Sequence, residues 1–254
     1  MAKKISVKGL KKFNLIMAGL HAAQGVAVLA LSKGFSLPVT GSYLKLDTAS
    51  EKLVPVSKEL FSLSLPWLVA GFFFLSSLAH LTIATVYRRK YEANLALGMN
   101  KARWVEYALS ASTMMVAISM LVGIYDLSLL VAIFALTAIM NLMGLVMEIH
   151  NQTTQKTNWL SYWIGCLAGI VPWAAVAFYM WLGADNGSRA PTFVYWIFVS
   201  MFLFFNCFAV NMVLQYKKVG KWKNYIYGER AYIVLSLVAK SLLAWQVFAG
   251  TLRP

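Results

Sequence analysis

The sequence predicts an all-α membrane protein, a seven-transmembrane-helix bundle in one domain over residues 1–254. Three observations predict it. The 254-residue chain is 60% hydrophobic and 13% charged, where a soluble domain carries about 45–50% apolar and about 25% charged residues. Seven runs reach the roughly 20 apolar residues that a spanning helix needs. The basic residues gather mostly on one side of those runs, as the positive-inside rule requires. The same composition excludes a disordered chain. Two cysteines, Cys166 and Cys207, are too few for a disulfide scaffold. The net charge of +14 could suit nucleic acid. The apolar runs outweigh that reading, so no nucleic-acid partner is expected and the solvating partner is the lipid bilayer.

The seven runs are Phe13–Ser32, Phe61–Tyr87, Trp104–Ile124, Leu127–Met147, Trp159–Leu182, Thr192–Tyr216 and Glu229–Thr251. The first follows a basic stretch, as in a signal peptide, but is too long for one and is read as a retained helix. Lys33–Leu60 is long for an unstructured loop. Leu44 and Leu46 alternate with Lys45 and Asp47, which fits a short β-hairpin lying on the membrane, with an irregular loop as the competing reading. Pro66 and Pro172 could break the second and fifth helices.

Orientation follows from lysine and arginine. Sixteen fall on the side of the N-terminal arm: Lys3, Lys4, Lys8, Lys11, Lys12, Arg88, Arg89, Lys90, Lys101, Arg103, Lys156, Lys217, Lys218, Lys221, Lys223 and Arg230. Six fall on the other: Lys33, Lys45, Lys52, Lys58, Arg189 and Arg253. The N-terminus is therefore expected in the cytoplasm and the C-terminus outside, in a multi-pass protein of the cell membrane.

One basic residue, Lys240, belongs to neither side. It lies about 16 Å into the seventh run at 1.5 Å per residue. A lysine there costs roughly 2.5–3.5 kcal/mol on insertion scales, so it needs a partner and marks function. Glu106 in the third run is the candidate partner. Ser110 continues its face at i+4 and Thr113 at i+7. The competing assignment is an interfacial Glu106 paired with Arg103. His21 and His80 lie at matched depth in the first two runs. Asn14, His21 and Gln24 share one stripe, as do Ser76 with His80 and Ser236 with Lys240. Buried polar groups need partners, and one shared hydrated cavity would supply them. The two histidines with Glu106 could also hold Zn²⁺, but no His–His spacing supports it and no metal is expected.

Seven helices with a lysine in the middle of the last resemble the microbial rhodopsins. The segments ARWVEYALS (Ala102–Ser110) and LSLVAKSLLAW (Leu235–Trp245), together with His21, His80 and the charge layout, resemble the heliorhodopsins more narrowly. The resemblance covers the whole chain. It implies a covalent all-trans retinal on Lys240 as a protonated Schiff base, with Glu106 as counterion. His21, Gln24, His80, Tyr107, Ser236 and Trp245 match the family's polar cavity near that base. Ser236 and Ala117 stand where pumping rhodopsins carry further carboxylates. Phe202 and Phe205, on a helical stripe with Phe198, would wall the polyene. Met140, Gly144 and Trp163 are further pocket candidates, and ordinary packing competes for each of these residues.

The implied function is a light-sensing photoreceptor, not an enzyme, with all-trans to 13-cis isomerisation and signalling without net pumping. A light-gated channel or a transporter using Lys240 and Glu106 as a gating pair is the competing reading. The resemblance also implies a homodimer, for which the fourth and fifth helices, near Asp126 and Tyr179, offer surfaces. The basic face would suit an acidic cytoplasmic signalling protein or anionic lipid, and charges that only set the topology are the competing reading.

Overall fold

The computed structural model describes residues 9–253. Lys3, Lys4 and Lys8 of the N-terminal arm lie outside the described residues. Among those described, the chain forms eight α-helices and a two-stranded hairpin. In order these are α1 (Leu10–Leu31), β1 (Ser36–Asp47), β2 (Lys52–Ser64), α2 (Leu65–Ala84), α3 (Arg88–Ala96), α4 (Lys101–Leu121), α5 (Leu127–His150), α6 (Leu160–Asp185), α7 (Thr192–Tyr216) and α8 (Tyr225–Val247). Seven of them, all but α3, are long and apolar enough to cross a membrane.

The helix starts are written in the sequence. Asn100 caps α4, Asp126 caps α5 and Asn224 caps α8, each side chain accepting a backbone N–H of the first turn. Pro66 sits in the first turn of α2, where a missing N–H costs nothing. Pro172 lies inside α6 without ending it. Both departures correct the expectation of broken helices.

The hairpin is longer than expected and shortens the second span. Phe61–Ser64 pair with Ser36–Val39 in antiparallel register, so α2 begins at Leu65 rather than Phe61. The hairpin is fastened only at its base. The Thr40 N–H donates to the Tyr125 carbonyl at 2.9 Å, the Leu65 N–H to Phe35 at 2.9 Å, and the Lys33 N–H to Leu252 at 2.8 Å. Val39 is fully buried there, while Tyr43, Leu44, Leu46 and Leu53 near the tip are exposed. Between α2 and α4 the chain forms α3, a short helix that its sequence did not lead us to expect, whose Tyr91 and Leu95 pack against Leu10, Ile83 and Ile226.

Helices α1, α2, α4, α5 and α6 pack in sequence order, and α8 closes the bundle against α7 and α1. Helices α6 and α7 meet mainly through aromatics. Trp173 stands edge-on to Phe198, Phe202 and Phe205 at 5.4–5.6 Å between ring centres. The main apolar core, with Val28, Val69, Phe73, Met115, Ile118, Leu243 and Val247, fills the hairpin half. The opposite half ends in the basic loops and forms the basic end of the bundle.

Candidate functional site

Lys240 on α8 and Glu106 on α4 meet inside the bundle. The Lys240 ammonium is 3.3 Å from a Glu106 carboxylate oxygen, with side chains 3% and 8% exposed. Lys240 also donates to Ser236 Oγ at 2.7 Å. Ser236 is one turn earlier on α8, so the serine aims the amine along its own helix. Glu106 accepts from Ser76 Oγ on α2 and from Ser110 Oγ on α4, each at 2.6 Å. Three donors therefore converge on one carboxylate, the arrangement that keeps a buried charge in place. The Tyr107 ring lies 5.4 Å from the Lys240 nitrogen, and its hydroxyl donates to the Tyr232 carbonyl at 2.8 Å.

The histidines lie beside this pair. His21 and His80 stack with ring centres 5.5 Å apart. His80 Nδ1 and Asn14 Oδ1 are 2.7 Å apart, which joins α2 to α1. Both ring nitrogens of His21 are buried without a partner among the described residues. Gln24 and Trp245 bond to each other, indole N–H to amide oxygen at 3.2 Å, as a separate link between α1 and α8. Thr113 does not join the Glu106 group; its hydroxyl returns to the Leu109 carbonyl. Among the described residues no three His, Cys, Asp or Glu side chains gather as a metal site.

From the amine a small cavity of about 40 Å³ runs along Ser236, Ala239, Tyr107, Ala111 and Met114. Met140, Asn141, Phe205 and Phe208 wall it and also wall a larger cavity of about 340 Å³ between α5, α6 and α7. Trp104, Gly144, Gly169, Trp173 and Phe202 line the larger one. That volume is in the range of small-molecule sites. Two glycines make it. A Cβ at Gly144 would stand 2.5 Å from the Trp104 ring, and one at Gly169 would strike the Met140 sulfur.

Met140, Gly144, Phe202 and Phe205 thus face the cavity. Trp163 does not. It is 65% exposed on the outward face of α6, and the tryptophan at the cavity is Trp173, ten residues on. An α6 apolar on every side carries no phase from which to choose between the two tryptophans.

Arg103 corrects a second expectation. It is buried rather than part of a surface loop, and it pairs with Glu148 on α5 and Glu229 on α8. It does not pair with Glu106. Its guanidinium carbon lies 4.7 Å from the Trp104 ring centre and 4.0 Å from that of Tyr232, so the charge is stacked as well as paired. The sequence signal for this cluster is faint. Glu148 and Glu229 stand at the ends of apolar runs, where an acid ordinarily faces headgroups.

Three solved structures share the architecture. A light-driven proton pump from Leptosphaeria maculans is 16% identical, with a TM-score of 0.68 over 97% of this chain and 96% of that one. Exiguobacterium sibiricum rhodopsin is 15% identical, with 0.62 over 96% of each. A cyanorhodopsin from the cyanobacterium Tolypothrix is 14% identical, with 0.59 over 94% of each. No curated protein matches. At these identities the neighbours establish the fold. The family model of heliorhodopsin matches residues 10–252, almost the whole chain. The chain therefore belongs to the heliorhodopsin family, as a retinal-binding, light-responsive membrane protein.

Proposed function

We propose that this protein is a light sensor that signals without net ion transport, with Lys240 carrying retinal and Glu106 balancing the charge. The observation that carries the reading is the buried Lys240–Glu106 pair at the narrow end of an aromatic-lined cavity. The residues present fit the group. A buried amine opens on apolar walls, and beyond Met140 there is room of about 340 Å³ for a ring, lined by Trp173 and Phe202. The chemistry bound retinal supplies is visible absorption and an all-trans to 13-cis change of shape.

The chain's own residues hold the charge and the proton. Glu106, held by Ser76 and Ser110, keeps a negative charge beside the nitrogen. Tyr107, Phe205 and Phe208 exclude bulk water from the narrow cavity. His80, fixed by Asn14, and the unpartnered His21 offer places for a displaced proton on the basic side. The buried acids among the described residues are Glu106, Glu148 and Glu229, and none lies in the hairpin half. A proton leaving toward the hairpin would meet Met115, Ile118 and Leu243 rather than a carboxylate. That absence supports sensing over pumping.

The basic end is then cytoplasmic, by the positive-inside rule, and its lysines and arginines form the output face toward an acidic partner. A homodimer through α5 and α6 belongs to the same reading. The test is to add all-trans-retinal to the purified protein. A visible band bleached by hydroxylamine is expected, with no light-driven pH change in a cell suspension. An uncoupler-sensitive pH change, or photocurrent across the membrane, would favour a pump or channel instead.

A further inference from the structure

The charges of the Arg103 cluster do not balance. Glu148 and Glu229 face one guanidinium, with all three side chains at most 3% exposed. Among the described residues, the other groups bonded to the two carboxylates are uncharged. Asn100 gives its N–H to Glu148 at 2.8 Å and its amide to Glu229 at 2.6 Å. The hydroxyls of Tyr225 and Tyr91 reach Glu148 at 3.2 Å and Glu229 at 3.4 Å. From α7 the Tyr216 hydroxyl is engaged by the Met147 carbonyl. From α8 Tyr232 stacks on the guanidinium. From α1 comes Asn14, and from α2 His80, across a cavity. Glu106 and Lys240 beyond it neutralise each other. Among the described residues one negative charge is left over in a buried site, and a buried group in that position is neutralised by taking up a proton.

A second observation comes from that cavity. It measures about 20 Å³, and its lining includes Glu106 and Tyr107 as well as Arg103, Asn100 and Glu229. Arg103 lines it, and its Nε is buried with no acceptor among the described residues. About 10–15 Å³ suffices for one water given two to four polar partners, and a water would supply the missing acceptor.

We propose that the Glu148–Glu229 pair is a proton-binding site that holds one exchangeable proton at neutral pH and exchanges it with Glu106 through this cavity. In the exchange the Glu229 O–H bond breaks as the water takes the proton. The water's other O–H breaks as a Glu106 oxygen takes that proton. Each bonding pair stays on its oxygen, and nothing is oxidised or reduced. The proton is assigned to the pair, because both carboxyls share the one guanidinium. The exchange rests on Glu106 acting as the counterion of a light sensor, whereas the storage does not.

The test is an infrared spectrum of the full chain, taken in the dark at neutral pH. A protonated-carboxyl C=O band is expected that shifts in D₂O. It should vanish in Glu148→Gln and in Glu229→Gln, since either leaves a balanced pair, and persist in Glu106→Gln. If a variant does not fold, ¹³C-labelled glutamate in the unmodified protein must shift the band. Absence of the band, its survival in either cluster variant, or no shift with the label would overturn the proposal. A protein that stores this proton yet shows no photochemistry would refute the sensor reading and leave the storage site standing.

Discussion

The two halves of the bundle solve the problem of a closed interior in opposite ways. Toward the hairpin, Val28, Val69, Phe73, Met115, Ile118 and Val247 are packed essentially without exposure, and polar contacts there are between neutral groups, as in the Gln24–Trp245 bond between α1 and α8. Toward the basic end the interior holds two ionic groups, Lys240–Glu106 and Arg103–Glu148–Glu229, with Asn14, His80, Asn100 and Tyr91 between them. Apolar packing without acids gives a charge nowhere to rest, while acids that accept several hydrogen bonds can hold one. The difference makes one side of the chromophore site a wall and the other a reservoir. Both ionic groups are built on α4, whose Arg103 and Glu106 are one turn apart.

The largest effect expected from breaking this contrast comes from Lys240→Ala. With the buried lysine gone, no covalent pigment should form, read as the loss of both a visible band and a borohydride-reducible adduct. A persisting adduct would place the attachment elsewhere and sever the cavity from the polar half. Next is Arg103→Gln, which leaves Glu148 and Glu229 buried without their cation. Removing one partner of a buried ion pair costs about 3–5 kcal/mol, so a pronounced fall in Tm is expected. A Tm within a degree or two of the unmodified protein would mean that the basic half relaxes around lost charge as readily as a surface. Glu106→Gln is subtler. Ser76 and Ser110 can still bond the amide, so the fold should hold, but the charge beside Lys240 is gone. The visible band should move, or be lost at neutral pH by deprotonation of the Schiff base. An unchanged band and titration would remove Glu106 from the counterion role.

Legibility in the sequence divides along the same line. Spans are a matter of length and apolarity, so seven of them, and the lone Lys240, could be read directly. Within a span the residues that face lipid and those that face the interior are equally apolar. Hence Trp163 and Trp173 could not be told apart on α6, though only the second lines the cavity. Long-range pairing is hidden for another reason. Glu148 and Glu229 lie 45 and 126 residues from Arg103, and each looks interfacial in the sequence although the fold buries all three together. Glu106 was easier because its serine at i+4 advertised a polar face. The full hairpin is hidden because Phe61–Ser64 read as the start of an apolar run, while the structure gives them to β2.

The smallest expected effect concerns the joint between the wall and the hairpin beside it. Asp126 caps α5, its carboxylate accepting the N–H groups of Ser128 at 3.0 Å and Leu129 at 3.4 Å, and Thr40 bridges to it from β1. Slight burial pushes the Asp126 carboxyl up, but hydrogen bonds from Ser42, Leu129 and Ser128 outweigh that and hold it below the usual carboxylate range. A group lowered in the folded state contributes stability above its unfolded value, about 3.9, and that contribution is lost as pH falls through the folded value. Asp126→Ala should therefore cost about 1 kcal/mol at neutral pH, the usual worth of a cap, and progressively less in acid. Asp126→Asn keeps an acceptor for the N–H groups but cannot titrate, so it should retain most of the stability and flatten the acid dependence. Tm measured for the three proteins between neutral pH and pH 3 separates cap from charge. Equal losses for both substitutions at neutral pH would show that the charge, rather than the cap, ties the hairpin to the bundle.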